Sequence, residues 1–363
     1  MKQEFIKNRI EALRASMKSE NLTAVIVTSF ENRIYYSGFS GSNGWLVVTP
    51  EEALLVTDGR YITQAGKECP HYEVLKAAQS YEYSIIGAVK DRDAKKSMGG
   101  RIGFEASNLT VSAFEKVREY LPGKEFVPFD SFIADPRKVK DSYELGMIRE
   151  AVRVAEEAYM QILPMVKEGV TELELATELQ YRMKLAGADK ESFDIIIASG
   201  ENGALPHATP GARKLAAGDL VTIDWGARFG EYTSDMTRTL AVGEPSEKMK
   251  KIYNITYEAQ MKVLEKIGPG MTTGEADALS REHIKAAGFG EYYVHGLGHG
   301  LGIAIHEDPR LKDGEKEVLK PGHVVTVEPG IYIPGEGGVR IEDLVVITET
   351  GCEILTTTPK MKF

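Results

Sequence analysis

The stretch Thr222–Arg238, TIDWGARFGEYTSDMTR, decides how the chain is read. It places Asp224 eleven residues before Asp235, on either side of a short polar turn. A β-hairpin over these residues turns between Phe229 and Gly230 and sets the two acids opposite each other on one face. Like charges opposed on a sheet are destabilising. These two also lie in an apolar strand, where a bare carboxylate costs several kcal/mol or more, on the order of magnitude of a lost ion pair. Solvated surface acids are the plain alternative; a shared cation is the other.

The same pattern recurs downstream. LAAGDLVTIDWG (215–226) is similar to LKPGHVVTVEPG (319–330), so Glu328 stands where Asp224 stands. Glu328 is followed by Glu342 across IPGEGG, whose midpoint is Gly335, a strong turn signal. Upstream of each acid pair, EGVTELELATELQYRMKLAG (168–187) matches PGMTTGEADALSREHIKAAG (269–288). The repeat is too long and sparse for a solenoid. It predicts two half-domains, each a long helix, a second helix and a hairpin, facing one another across a cleft. Two acid pairs at equivalent positions call for a common cation.

Histidines sharpen that reading. Of the seven in the chain, three lie in VHGLGHGLGIAIHE (294–307), as His295, His299 and His306. The glycines between them allow close backbone approach. One imidazole among four carboxylates makes an oxygen-rich site suited to Mn²⁺, with Co²⁺, Fe²⁺ or Zn²⁺ as alternatives. His71, His283 and His323 fall outside the pattern and read as structural or surface residues.

The remaining sequence bounds the class. Its 363 residues predict two domains. Residues 1–133 interleave strands (23–29, 44–50, 52–58, 101–106, 125–130) with helices, giving an α/β domain. Residues 133–144 read as a link, and 134–363 form the repeated domain, led by a helix over roughly 142–163. The net charge of −10 argues against nucleic-acid and anionic-membrane partners. Cys69 and Cys352 are the only cysteines, so no disulfide framework exists. No apolar run approaches a membrane span and the first helix has no signal-peptide core, so the expected location is the cytoplasm.

The ordered set Asp224, Asp235, His299, Glu328 and Glu342, carried by SDMTRT, HGLGHGLGIAIHE, VEPGIY and VRIED, resembles the five-ligand signature of the pita-bread dinuclear metallopeptidases. GFSGSNGWLVVT and TDGRY resemble the creatinase-type N-terminal domain carried by Xaa-Pro peptidases. The resemblance implies an α/β (α+β) protein with a creatinase-type domain before a pita-bread domain of pseudo-twofold repeat. It implies two divalent metal ions held by the five residues, with Asp235 and Glu342 bridging. It also implies substrate-side roles for His207, His295, His306 and Arg340, and proton transfer at Glu328. The expected substrate is a peptide or dipeptide with proline second, attacked by an Xaa-Pro aminopeptidase or, alternatively, a prolidase. A homodimer is expected. A metal-free creatinase-like hydrolase or a binding protein on the same scaffold needs none of the five ligands, and all are present. GLGHGLG does not fit GxGxxG and GFSGS does not fit GxSxG.

Replacing Asp235 or Glu342 by Ala is expected to abolish metal uptake and turnover while the fold survives. Metal analysis and circular dichroism on purified variants check it; a fully active, metal-replete Glu342→Ala protein contradicts it.

Overall fold

The computed structural model describes residues 2–77 and 100–363. It divides into two compact units, Met1–Arg137 and Lys138–Phe363.

In the first unit, the opening helix Lys2–Ser19 buries Ile6, Ile10, Leu13 and Met17. These recur every three or four residues, one face of a helix. Among the described residues, six strands form one mixed sheet. Its order is Glu73–Lys76, Ala53–Thr57, Trp45–Val48, Ala24–Val27, Arg101–Phe104 and Glu125–Pro128. The Ala24–Val27 strand is buried along its whole length, as the centre of a sheet covered on both faces must be. Val117 and Leu121 close one side over Ala24, Ile26, Val56 and Ile102. The five strand segments expected within 23–58 and 101–130 lie where the sequence places them.

The second unit carries the repeat down to single hydrogen bonds. Its helices Ser142–Ile162 and Glu172–Leu185 are matched by Glu247–Leu264 and Thr273–Ala286. Thr171 and Thr272 each cap a helix through a reciprocal capping box, with Glu174 and Glu275. Gly169 N donates to Leu215 O at 2.9 Å, and Gly270 N to Leu319 O at 3.0 Å. Both glycines turn at positive φ, 89° and 88°.

Each half then supplies a sheet. The first orders Met236–Ala241, Leu220–Trp225 and Ile196–Ser199. The second orders Glu307–Leu311, Gly298–Gly300, Val324–Val327, Asp343–Ile347 and Cys352–Ile354. Trp225 fixes the first sheet on its helix: its ring stacks on Tyr159 at 4.3 Å and its indole N–H donates to Ala155 O at 2.9 Å. Val325, Val327, Val345 and Ile347 pack the second sheet against Val263, Ile267 and Ala276.

The register corrects one expectation. Thr237, not Asp235, lies opposite Asp224. The turn is Gly230–Glu231, both at positive φ, 56° and 75°, between the paired Phe229 and Tyr232. Two consecutive left-handed residues match the twist of a two-residue hairpin. The turn therefore sits one residue later than Phe229–Gly230, and Asp235 becomes a diagonal, same-face neighbour of Asp224. In the second half, Val327 pairs with Asp343 and Gly330 with Arg340, bracketing Glu328 opposite Glu342 about the turn at Gly335.

The halves meet strand against strand. Glu342 N donates to Thr237 O at 3.1 Å, and Thr239 Oγ1 donates to Arg340 O at 2.8 Å. Arg238, 2% exposed, pins this seam through Asp343 Oδ1 at 2.9 Å and Thr358 O at 2.8 Å.

Because the two capping boxes are equivalent in geometry, Thr171→Ala and Thr272→Ala should each cost about 1 kcal/mol. Denaturant midpoints of the two variants measure this; a loss confined to one of them would show that the halves are not energetically matched.

Candidate active site

Both acid pairs reach the seam. Asp224 comes from the end of the Leu220–Trp225 strand, and Asp235 from just before Met236–Ala241. Glu328 follows Val324–Val327, and Glu342 precedes Asp343–Ile347. Carboxylate oxygens of Asp224, Asp235 and Glu342 lie within 4.8 Å of one another. Asp235 and Glu342 are 5% and 1% exposed.

His299 completes the group from the short strand Gly298–Gly300. Its Nδ1 sits 3.1 Å from Gly300 O. A carbonyl only accepts, so Nδ1 carries the proton and Nε2 presents a lone pair. That lone pair faces Glu328 Oε1 at 3.4 Å and Asp235 Oδ2 at 3.6 Å. Burial pushes the His299 pKa down, which keeps the ring neutral. Lone pair facing carboxylate oxygens with no donor between them is repulsive unless a cation stands in the gap.

Three of the four acids are held from the side. Arg340 Nη2 donates to Asp224 Oδ2 at 2.6 Å. Thr237 Oγ1 donates to Glu342 Oε2 at 2.7 Å, and Thr326 Oγ1 to Glu328 Oε1 at 2.9 Å. The opposite oxygens, Asp224 Oδ1 and Glu342 Oε1, are buried without a hydrogen-bond partner. Bare buried carboxylate oxygens converging with an imidazole lone pair are the donor set of a hard or borderline divalent cation. The residues present therefore fit a metal ion.

These groups line one cavity of ≈ 770 Å³. His207, His295, His306 and Arg340 line it too, so every residue singled out in the sequence reaches the same space. His207 is exposed on the wall. The His306 ring packs edge-on against His299, 4.4 Å between centroids. Burial, then His299, push His306 down to about 4, so it is neutral near pH 7.

His295 lines the cavity with its ring tied to the wall. Both its ring nitrogens are engaged: Nδ1 with Gly296 O at 2.7 Å, Nε2 with Tyr332 Oη at 2.8 Å. Arg340 Nη1 donates to the same phenol oxygen at 2.8 Å. The phenol in turn donates to His295. Asp224, Arg340, Tyr332 and His295 thus form one chain of hydrogen bonds along the wall. To meet a substrate, His295 must exchange its bond to Tyr332.

Tyr332, Thr237 and Thr326 were not singled out. Period-two parity was the available signal. Thr237 and Thr326 stand two residues from Asp235 and Glu328, and Tyr332 stands four residues after Glu328, all on the acid-bearing faces. Phe193, Ile196, Leu311, Arg310 and Lys312 also line the cavity and carried no sequence signal.

Burial first, then Glu342, Asp224 and Glu328, raise the Asp235 carboxyl well above the ordinary range. Burial, then Glu328 and Asp224, do the same for Glu342. In metal-free protein these folded-state values exceed the unfolded ones, so the native state holds more protons. Their contribution to stability is present below about pH 4 and is lost as pH rises through the folded values. Metal-free protein should therefore lose melting temperature as pH rises above the ordinary carboxylate range, about pH 4, and Asp235→Asn should flatten that slope. Thermal melts across pH check it; parallel slopes for parent and Asp235→Asn would refute it.

Comparison with known proteins agrees with this geometry. Residues 146–349 match Metallopeptidase family M24, and residues 9–139 match the Creatinase/Prolidase N-terminal domain. A protein of Pyrococcus furiosus named Xaa-Pro dipeptidase is 41% identical over 98% of this chain and 99% of its own length. A solved structure described as Xaa-Pro dipeptidase from Bacillus anthracis superimposes with a TM-score of 0.93 at 40% identity, covering 99% of each chain. One described as X-Pro aminopeptidase from Thermotoga maritima gives 0.89 at 34% identity, over 98% of this chain and 99% of that one. The chain belongs to metallopeptidase family M24, with a creatinase/prolidase-type N-terminal domain.

Proposed function

We propose that this protein is a metal-dependent Xaa-Pro peptidase that uses two divalent cations, Mn²⁺ by preference with Co²⁺, Fe²⁺ or Zn²⁺ as alternatives. One observation carries the reading: four carboxylates and one imidazole lone pair converge on the wall of a ≈ 770 Å³ cavity, with two carboxylate oxygens buried and bare. Charge supports two ions. Against the four acids stands Arg340 alone in the group, which leaves three negative charges. One divalent cation leaves the cluster negative. A second leaves one net positive charge beside the cavity, which favours a reacting group that becomes anionic.

Asp224, Asp235, His299, Glu328 and Glu342 are the proposed ligands. When bound, the cations supply Lewis-acid activation of water and of the scissile carbonyl. The chain's own residues do the rest. Glu328, raised in pKa by burial, accepts the proton from water and passes it to the leaving nitrogen. Arg340 holds Asp224 in place. His306, which is neutral, and the wall residue His207 offer hydrogen bonds to the substrate carbonyl and to charge that develops there. Phe193, Ile196 and Leu311 give the wall an apolar lining for a proline ring, which lacks an N–H to satisfy.

An aminopeptidase acting on longer peptides and a dipeptidase share all of this. Arg310 and Lys312, both on the cavity wall, favour the dipeptidase, because the product proline of a dipeptide ends in a carboxylate. A charge-assisted hydrogen bond to that group is worth about 1.5–3 kcal/mol, at least about tenfold in kcat/KM.

Hydrolysis of Xaa-Pro and Xaa-Pro-Yaa by one preparation tests the reading. Both activities should vanish on exhaustive chelation and return with Mn²⁺. The dipeptide should be preferred by about tenfold or more, and Arg310→Gln should narrow that preference. Equal turnover of the tripeptide would favour the aminopeptidase. Activity that survives chelation would overturn the metal reading.

A further inference from the structure

Lys140 lies outside the cavity, and its ammonium is fully buried. Its side chain is 0% exposed and its partner Glu307 is 8% exposed, with Lys140 Nζ 2.8 Å from Glu307 Oε1. A second bond runs from Nζ to Lys138 O at 3.3 Å. A buried ion pair of this kind is poor value as a source of stability alone, since desolvation offsets most of its attraction. Its position gives it another use.

Glu307 follows His306 directly and begins the strand Glu307–Leu311. The five residues before it, Gly302 to His306, form no helix or strand. This irregular segment is tied at both ends. At its start, Thr233 N and Oγ1 both donate to Gly302 O, at 2.8 and 2.9 Å. At its end, Glu307 is gripped by Lys140. The two ends also meet: a Cβ at Gly302 would lie 2.7 Å from Glu307 Oε1 and 3.2 Å from Lys140 Cε. The ion pair therefore packs on the bare backbone of Gly302 and closes the loop on itself. His306 is the last residue before the closure, and its ring is set edge-on against His299.

We propose that Lys140 is a positioning residue: through Glu307 and Gly302 it fixes the loop that aims the His306 imidazole into the cavity. The proposal deepens the peptidase reading and rests on it for its kinetic consequence. The geometry also places Thr233, two residues before Asp235, at the other end of the same loop. One hairpin thus holds both a metal-site acid and the entry to the His306 loop.

Removing one partner would strand a buried charge and unfold part of the unit, so the informative variant removes both: Lys140→Met/Glu307→Gln. It should keep the parent's metal content and melt within a few degrees of it. Its kcat on an Xaa-Pro substrate should fall about tenfold with KM little changed. In a His306→Ala background the same pair of substitutions should cost less than about twofold more, because the lysine acts through that histidine. Lys140→Arg, which retains the charge, should recover part of the activity.

An independent readout is the His306 Cε1–H resonance of zinc-loaded, ¹³C-histidine-labelled protein, assigned by its loss in His306→Ala. It should shift or broaden in the double variant while the resonance of His283, tied to Lys262 and Glu258, stays. A double variant with the parent's kcat and an unmoved His306 signal overturns the proposal, as does a full additional loss in the His306→Ala background. If the parent fails to hydrolyse any Xaa-Pro substrate, the peptidase reading falls, and the resonance alone then decides whether Lys140 positions the ring.

Discussion

The constraint behind this architecture is the mutual repulsion of four carboxylates in one nearly dry corner. Left to themselves, buried acids a few ångströms apart take up protons or push their strands apart. Here the strands cannot separate. Arg238 binds Asp343 and Thr358 beneath the seam, and Thr237 and Glu342 are joined through both backbone and side chain. The repulsion is therefore held in the native state, and burial first, then that repulsion, raise the Asp235 and Glu342 carboxyls. A scaffold that keeps like charges together in this way has a strong preference for any cation that fits between them.

The neighbours of the acids follow a simple rule of sheet geometry. Residues two apart on a strand share a face. Thr237 is two residues from Asp235, Thr326 is two before Glu328, and Arg340 is two before Glu342. Each polar partner occupies the side of an acid that faces the protein, and the other oxygen stays free for the cavity. Asp224 Oδ1 and Glu342 Oε1 are left bare by that division. The partners therefore set the direction of these carboxylates as well as their charge.

Much of this was legible in the sequence because repetition and parity are one-dimensional signals. The two halves, their capping threonines, the acid pairs and the glycine-rich histidine segment all show as spacing. The exact register of the first hairpin did not. Choosing Gly230–Glu231 over Phe229–Gly230 requires a glutamate to accept positive φ, which local preference disfavours. The pairing of Phe229 with Tyr232 and of Trp225 with Met236 imposes it. Tyr332 and Lys140 were invisible for another reason. Each matters through a contact with residues far along the chain, and no periodicity records such a contact.

The register also accounts for the choice between aspartate and glutamate. Glu328 and Glu342 are bracketed as directly opposed residues, about 4.5–5.5 Å apart in backbone. Two short acids there would be forced against each other. The extra methylene lets the carboxylates part: Glu328 turns to Thr326 and the His299 side, and Glu342 crosses the seam to Thr237 of the other half. Asp224 and Asp235 are diagonal neighbours, already about 7–8 Å apart. Longer side chains there would overrun the shared space, whereas aspartates bring oxygens of both halves within 4.8 Å. Acid length thus compensates for a difference in register between two otherwise similar hairpins. A symmetric scaffold in this way yields a site whose groups are unequal, with the imidazole of His299 contributed by the second half alone.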